Sequence, residues 1–387
     1  MHGDAGMRGD EPRERSHGVR AGGLRAGLVI DADGHVMEPF EIWRELPEPY
    51  RSVAPRLVSD DRGDRFAFGD LEVELDVAPG DFATPGGFRA GSTLGRRFDE
   101  IHPGAFDPTA RLALLDEQGI DVTYLYPTFL LNLDMHADGM RQAMNEVYDD
   151  WVSDFCATDP QRLRWVAPIS RNDLDHAVRE VERAARLGAS AIFLSPVPTN
   201  AGMLLGDPAE DRLYGAIAET GLGLAVHASD PWNSTLAWRP ILPTRWMWDC
   251  GSASLEMQFA MIWVFGNGLL DRFPTLRVGF FEGNLGWFPY LIQKMGMSYE
   301  HFGALFPAPA RSPLETFRER CWISGETEEP LLPMVVDLIG ADRCLWASDF
   351  PHHEATWDPV EELEEAPLSD LDRRAMAVTA PQTFYGR

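Results

Sequence analysis

The chain has 387 residues, 44% hydrophobic and 25% charged, which is enough apolar material for one large domain or two ordinary ones. Its net charge is −27, and Lys294 is the sole lysine among 34 basic residues, so it lacks the basic face that nucleic acid or an anionic membrane surface requires. Cys156, Cys250, Cys321 and Cys344 show no C-x-x-C spacing, which argues against a thiolate zinc site or a disulfide framework and for reduced thiols in the cytoplasm.

The predicted elements begin after a tail. Residues 1–26, rich in Gly and Arg and without an apolar core, read as disordered and not as a signal peptide. No run reaches the roughly 18 apolar residues of a membrane span. The stretch "GLVIDADGH" (27–35) opens as a buried strand and then places Asp31, Asp33 and His35 at alternate positions. In a regular strand all three would share one face. A long segment, about 40–110, follows. It contains "DRFAFGDLEVELDV" (64–77), which alternates like a β-hairpin, then a Gly-rich loop over 79–95, and it leads into a helix at 108–119.

From there the pattern becomes rhythmic. Short apolar runs at 120–127, 163–170, 189–196, 221–230, 276–284, 320–326 and 343–350 predict strands. Helices are expected at 140–158, 171–188, 208–220, 254–271, 287–300 and 328–340; the clearest, 171–188, has apolar positions at helical spacing and a terminal Gly. Eight strands alternating with helices suit an α/β (β/α)8 barrel over residues 27–387, with the long insertion after the first strand lying over the mouth as a cap. The alternative is a doubly wound open sheet. No G-x-G-x-x-G follows a strand, so its dinucleotide-binding version has no support.

Barrel enzymes carry their chemistry at the C-terminal strand ends. The first strand ends in Asp33 and His35, the fifth in His227, the sixth in Glu282, the seventh in Ser324 and Glu326, and the eighth in Asp349. Each alone has an ordinary reading as a turn, a cap or a hydrogen-bonded structural residue. Together they put imidazoles and carboxylates, the ligand types of a divalent ion, on one side of one barrel.

Five motifs then carry a resemblance: "VIDADGHVMEP", "LLDEQGIDVTYLYP", "LAVH", "FFEGNLGWFPYLIQKM" and "IGADRCLWASDFPHHE". The chain resembles the amidohydrolase superfamily, in its amidohydrolase-2 branch related to aminocarboxymuconate-semialdehyde decarboxylase. The resemblance implies one divalent ion, Zn²⁺ first and Mn²⁺ second, held by Asp33, His35, His227 and Asp349. Asp33-Gly34-His35 stands where many members carry His-x-His; enzymes similar to γ-resorcylate decarboxylase also place a carboxylate there. Glu282-Gly283-Asn284 stands where relatives often carry a catalytic His.

The implied activity is metal-dependent decarboxylation of a small aromatic or unsaturated carboxylic acid, with Asp349 and Glu282 as candidate proton carriers. A hydrolase acting on an amide, lactone or C–C bond is the alternative within the family, and a metal-free binding or scaffold barrel is the alternative outside it. Trp232, Trp238, Arg239, Trp287 and His352 fall in or near mouth loops and are candidates to pack and pair an aromatic acid. The resemblance and the Trp- and Phe-rich C-terminal half predict a homodimer.

Overall fold

The computed structural model describes residues 23–61, 63–68, 71–73, 97–132, 139–229, 242, 244, 246–247, 250–303, 309–352 and 355–386. Eight parallel strands run in chain order around the molecule: β1 (Ile30–His35), then, after a separate small sheet, β5 (Val122–Tyr126), β6 (Leu163–Pro168), β7 (Ala191–Leu194), β8 (Gly223–His227), β9 (Val278–Phe281), β10 (Cys321–Gly325) and β11 (Cys344–Trp346). Each falls within one of the eight apolar runs read from the sequence, and together they form the (β/α)8 barrel expected. The runs are apolar on both faces because helices cover the outside while side chains fill the inside. Ile30, Tyr126, Val166, Phe193, Phe281 and Leu345 are among the inner filling.

The outer helices end where local chemistry ends them. Helix Leu174–Leu187 begins with the Asp173 carboxylate accepting from His176 N–H at 3.0 Å and stops at Gly188, whose φ of 95° suits a residue without Cβ. It lays Ala177, Val181 and Ala184 on the barrel. Among the described residues no helix is long and apolar enough to cross a membrane.

Three features were not in the sequence reading. The hairpin expected over 64–77 belongs to a three-stranded antiparallel sheet, β2 (Pro55–Asp60), β3 (Gly63–Phe68) and β4 (Leu71–Val73). β2 has only Pro55 fully buried, so it carries no clear apolar alternation. The Gly-rich loop over 79–95 lies outside the described residues, as do residues 1–22. Leu24, which the sequence reading gave to the tail, is buried, and its N–H donates to Glu364 Oε1. Finally, helix Ala380–Tyr385 closes the barrel floor. Tyr385 stacks on Tyr124 at 3.5 Å and donates its hydroxyl to Ala32 O at 2.6 Å. A Cβ at Gly223 would stand 3.0 Å from the Phe384 ring, so the floor helix packs tightly on the strand there.

Two details of β1 shape everything above the floor. Asp31 pairs with Thr123 but Gly34 with Leu125, three steps on β1 against two on β5, so one extra residue is bulged into β1. Ile30 and Ala32 pack with the inner cluster, and beyond the bulge Asp33 and His35 take over the inward face. The expectation that Asp31, Asp33 and His35 share a face is thereby corrected, since the bulge breaks the two-residue period. Asp31 instead seams the barrel shut. It accepts from Thr123 Oγ1 (2.7 Å), Ser348 Oγ (2.7 Å) and Ser348 N (2.8 Å). The β1–β11 junction is completed by His35 N to Phe350 O (2.7 Å) and Asp349 N to Asp33 O (3.0 Å).

A Cβ on Gly34 would lie 2.6 Å from both Asp31 Oδ2 and Thr123 Oγ1. Gly34→Ala is therefore expected to cost about 1–3 kcal/mol in urea unfolding, the usual penalty of overpacking. An unchanged midpoint would show that the seam does not need the space.

Candidate metal centre

Four strand ends converge on the barrel mouth. β1 contributes Asp33 and His35, β8 contributes His227, and the residues just after β9 and β11 contribute Glu282 and Asp349. Glu282 and Asp349 both have φ of 55°, in the left-handed region that side chains rarely adopt. Such conformations cost about 1–3 kcal/mol each and persist where the surroundings over-determine them. Here the surroundings are visible. Glu282 N–H donates to Ser324 Oγ at 3.0 Å, and Asp349 N–H to Asp33 O. The Glu329 carboxylate accepts from the N–H groups of Leu285, Gly286 and Glu326 and so pins the loop after Glu282.

Each metal-type imidazole is oriented by its other nitrogen. His35 Nδ1 lies 3.0 Å from Pro127 O, and His227 Nδ1 lies 2.7 Å from Ala228 O. A carbonyl can only accept, so both rings carry their proton on Nδ1 and turn the Nε2 lone pair into the mouth. Arg111, buried beneath, donates to Gly104 O and to His35 O and lies over the Phe350 ring, fixing the end of β1 from behind.

The lone pairs meet. His35 Nε2 is 3.5 Å from Asp33 Oδ1 and 3.2 Å from Asp349 Oδ1; His227 Nε2 is 3.4 Å from Asp33 Oδ1 and 3.1 Å from Glu282 Oε2. Asp33 Oδ1, His35 Nε2 and His227 Nε2 are buried without a hydrogen-bond partner, and Asp349 Oδ1 is buried between His35 Nε2 and His352 Nδ1. A buried polar atom left so costs about 1–3 kcal/mol. Asp33, His35 and His227 offer ligand atoms close enough to share one ion, with Asp349 beside His35; a cation there accounts for the unpartnered atoms, and the mixed nitrogen and oxygen set fits Zn²⁺ or Mn²⁺. Burial pushes both imidazoles down to about 4, so they are neutral at pH 7, the form that binds metal. Burial pushes the Asp33 carboxyl well above its usual range. It acts the same way on Asp349, where His352 and His35 outweigh it and hold the carboxyl low.

Asp33, His35, His227, Asp349 and Glu282 are thus brought together. His352 joins them: its Nδ1 lies 3.1 Å from Asp349 Oδ1, its ring stacks on His35 at 3.8 Å, and its Nε2 lies 3.1 Å from Thr128 Oγ1. Trp287 is near but turned to other work, its Nε1–H donating to Gly283 O at 2.6 Å while its ring packs on the core. Trp232, Trp238 and Arg239 lie outside the described residues. Sequence reasoning missed Arg111, Glu329 and Thr128, which carry no strand-end signal. A cleft of about 660 Å³ opens beside the ends of β6 and β7, bounded in part by Arg141, Asn172 and Thr199; none of the four ligand residues lines it.

Comparison with known proteins agrees with the barrel fold. The chain matches the amidohydrolase family model over residues 30–387. It is 26% identical, over 309 residues covering 71% of this chain and 86% of the relative, to a γ-resorcylate decarboxylase of Polaromonas sp. (strain JS666 / ATCC BAA-500). Its fold is similar to a solved amidohydrolase from Mycobacterium avium subsp. paratuberculosis K-10, with TM-score 0.79 and 23% identity over 93% of this chain and 98% of that one. It is also similar to a dihydroxybenzoic acid decarboxylase from Polaromonas sp. JS666, with TM-score 0.60 and 20% identity over 71% and 85%; that protein was solved with bound manganese and the inhibitor 2-nitroresorcinol. The family match spans the barrel from β1 to the floor helix, and the chain is an enzyme of the amidohydrolase family.

Proposed function

We propose that this enzyme is a divalent-metal-dependent decarboxylase of small aromatic acids that carry a hydroxyl beside the carboxylate. The observation that carries the reading is the convergence of three buried, unpartnered donor atoms, from Asp33, His35 and His227, with the Asp349 carboxylate beside them. The choice of decarboxylation over hydrolysis draws on the relatives, whose substrates are hydroxybenzoates. The mixed nitrogen and oxygen set fits either ion, and the manganese in a neighbour favours Mn²⁺ over the Zn²⁺ expected first.

Asp33, His35, His227 and Asp349 would hold the ion. When bound, it supplies a Lewis acid that orients a carboxylate and adjacent phenolic oxygen and offsets their charge. Asp349, held ionised, accepts the phenolic proton as the acid settles and then delivers it to the ring carbon that bears the carboxylate. The C–C bond breaks, carbon dioxide leaves, and its bonding pair restores the aromatic ring. Glu282, with a third of its side chain exposed and 3.1 Å from His227 Nε2, sits at the solvent rim and returns a proton to the phenolate. Trp232, Trp238 and Arg239 are proposed to frame the acid from the loop after β8.

The cysteines are unpaired and three are buried, which fits the cytoplasm. Tyr290, Phe302 and Met334 are exposed apolar residues on helices Phe288–Phe302 and Leu332–Ile339, and they favour a homodimer. Light scattering at working concentration should give twice the 43.3 kDa chain mass; a clean monomer removes this point.

Purified protein is expected to carry about one equivalent of Mn²⁺ or Zn²⁺ per chain, to lose activity on chelation, and to release carbon dioxide from ortho-hydroxybenzoates in a panel of aromatic acids. Hydrolysis of esters or lactones with no decarboxylation in the panel would overturn the reading. Asp349→Asn keeps one acceptor oxygen but cannot carry the proton; its turnover should fall at least roughly 100-fold while metal content falls less. His227→Ala removes a ligand outright and should lose the metal itself. Near-normal turnover in Asp349→Asn would move proton transfer to Glu282.

A further inference from the structure

We propose that Thr128 is a positioning residue of this centre: through His352 it sets the Asp349 carboxylate. The inference rests on the reading of Asp349 as ligand and proton carrier. Thr128 is itself held rigidly. The Glu38 carboxylate, fully buried just after β1, accepts from the N–H groups of Thr128 (3.1 Å), Phe129 (3.0 Å) and Leu130 (3.1 Å), capping the helical turn Phe129–Asn132. Thr128 is 3% exposed, and its hydroxyl meets His352 Nε2 at 3.1 Å.

His352 is clamped on three sides. Thr128 holds its outer edge, the His35 ring covers one face at 3.8 Å, and its N–H donates to Asp349 O at 2.8 Å. Its inner nitrogen, Nδ1, faces two carboxylates, Asp349 Oδ1 at 3.1 Å and Glu282 Oε1 at 3.9 Å. The ionised Asp349 carboxylate only accepts, so Nδ1 carries the proton and Nε2 accepts from the Thr128 hydroxyl. The opposite tautomer would press a lone pair against Asp349. Asp349 therefore fixes the tautomer, and the Thr128 hydroxyl, donating to Nε2, holds the ring in the plane that aims Nδ1–H at Asp349, the role that outer partners of metal ligands commonly fill. This gives His352 a positioning role in place of the substrate contact expected from the sequence.

Thr128→Val keeps the shape and removes the hydroxyl, and Thr128→Ser restores it. Two readouts are used. In metal-free protein with ¹⁵N-labelled histidine, NMR should show the His352 Nε2 resonance of a hydrogen-bonded acceptor in wild type and Thr128→Ser, and that of an unbonded acceptor in Thr128→Val. At saturating Mn²⁺, Thr128→Val should lose roughly tenfold in kcat with KM within about twofold, and Thr128→Ser should recover most of it. An unchanged His352 Nε2 resonance in Thr128→Val overturns the proposal. So does a Thr128→Ser enzyme as slow as Thr128→Val, which would assign the effect to packing. If no acid in the panel is turned over, the decarboxylase reading fails, while the NMR signature still decides this one.

Discussion

The Nε2 lone pairs of His35 and His227 meet carboxylate oxygens of Asp33 and Asp349 at 3.2 to 3.5 Å in the barrel mouth. Burying so many polar atoms together is costly, and much of the surrounding structure exists to enforce it. Pro127 O and Ala228 O take the Nδ1 protons and so decide which nitrogens look inward. Glu282 and Asp349 hold left-handed backbone so that their side chains reach the mouth. A divalent cation is the species that turns this set from repulsive to attractive, and neutral imidazoles at pH 7 are ready for it.

The convergence depends on how the barrel is closed. A bulge in β1 redirects Asp33 and His35 inward, and the freed Asp31 bonds Thr123 and Ser348 across the seam to β5 and β11. One strand thus supplies both the ligands and the clasp that brings Asp349 beside them. Closure from below by Phe384 and Tyr385 leaves the mouth as the end where chemistry is placed. Stability and function are divided between the two ends, as is usual for this architecture.

Much of this was legible in the residues. The strands were readable because a doubly covered parallel strand must be a short apolar run. Asp33, His35, His227, Glu282 and Asp349 were readable because each ends such a run. What was hidden is what one-dimensional periodicity cannot carry. A single-residue bulge reversed the facing of Asp31, and a positive φ at Glu282 or Asp349 leaves no mark in composition. Glu38 and Thr128 come from segments about 90 residues apart and meet only in the fold. Trp287 looked like a pocket wall by type, yet its indole N–H bonds Gly283 O.

The most direct measurement is an anomalous difference map from crystals grown with Mn²⁺. One peak is expected, within about 2.0–2.3 Å of Asp33 Oδ1, His35 Nε2, His227 Nε2 and Asp349 Oδ1 once they close on the ion. A map with no peak among these four atoms, in crystals that hold Mn²⁺ elsewhere or not at all, would contradict a metal centre at the barrel mouth.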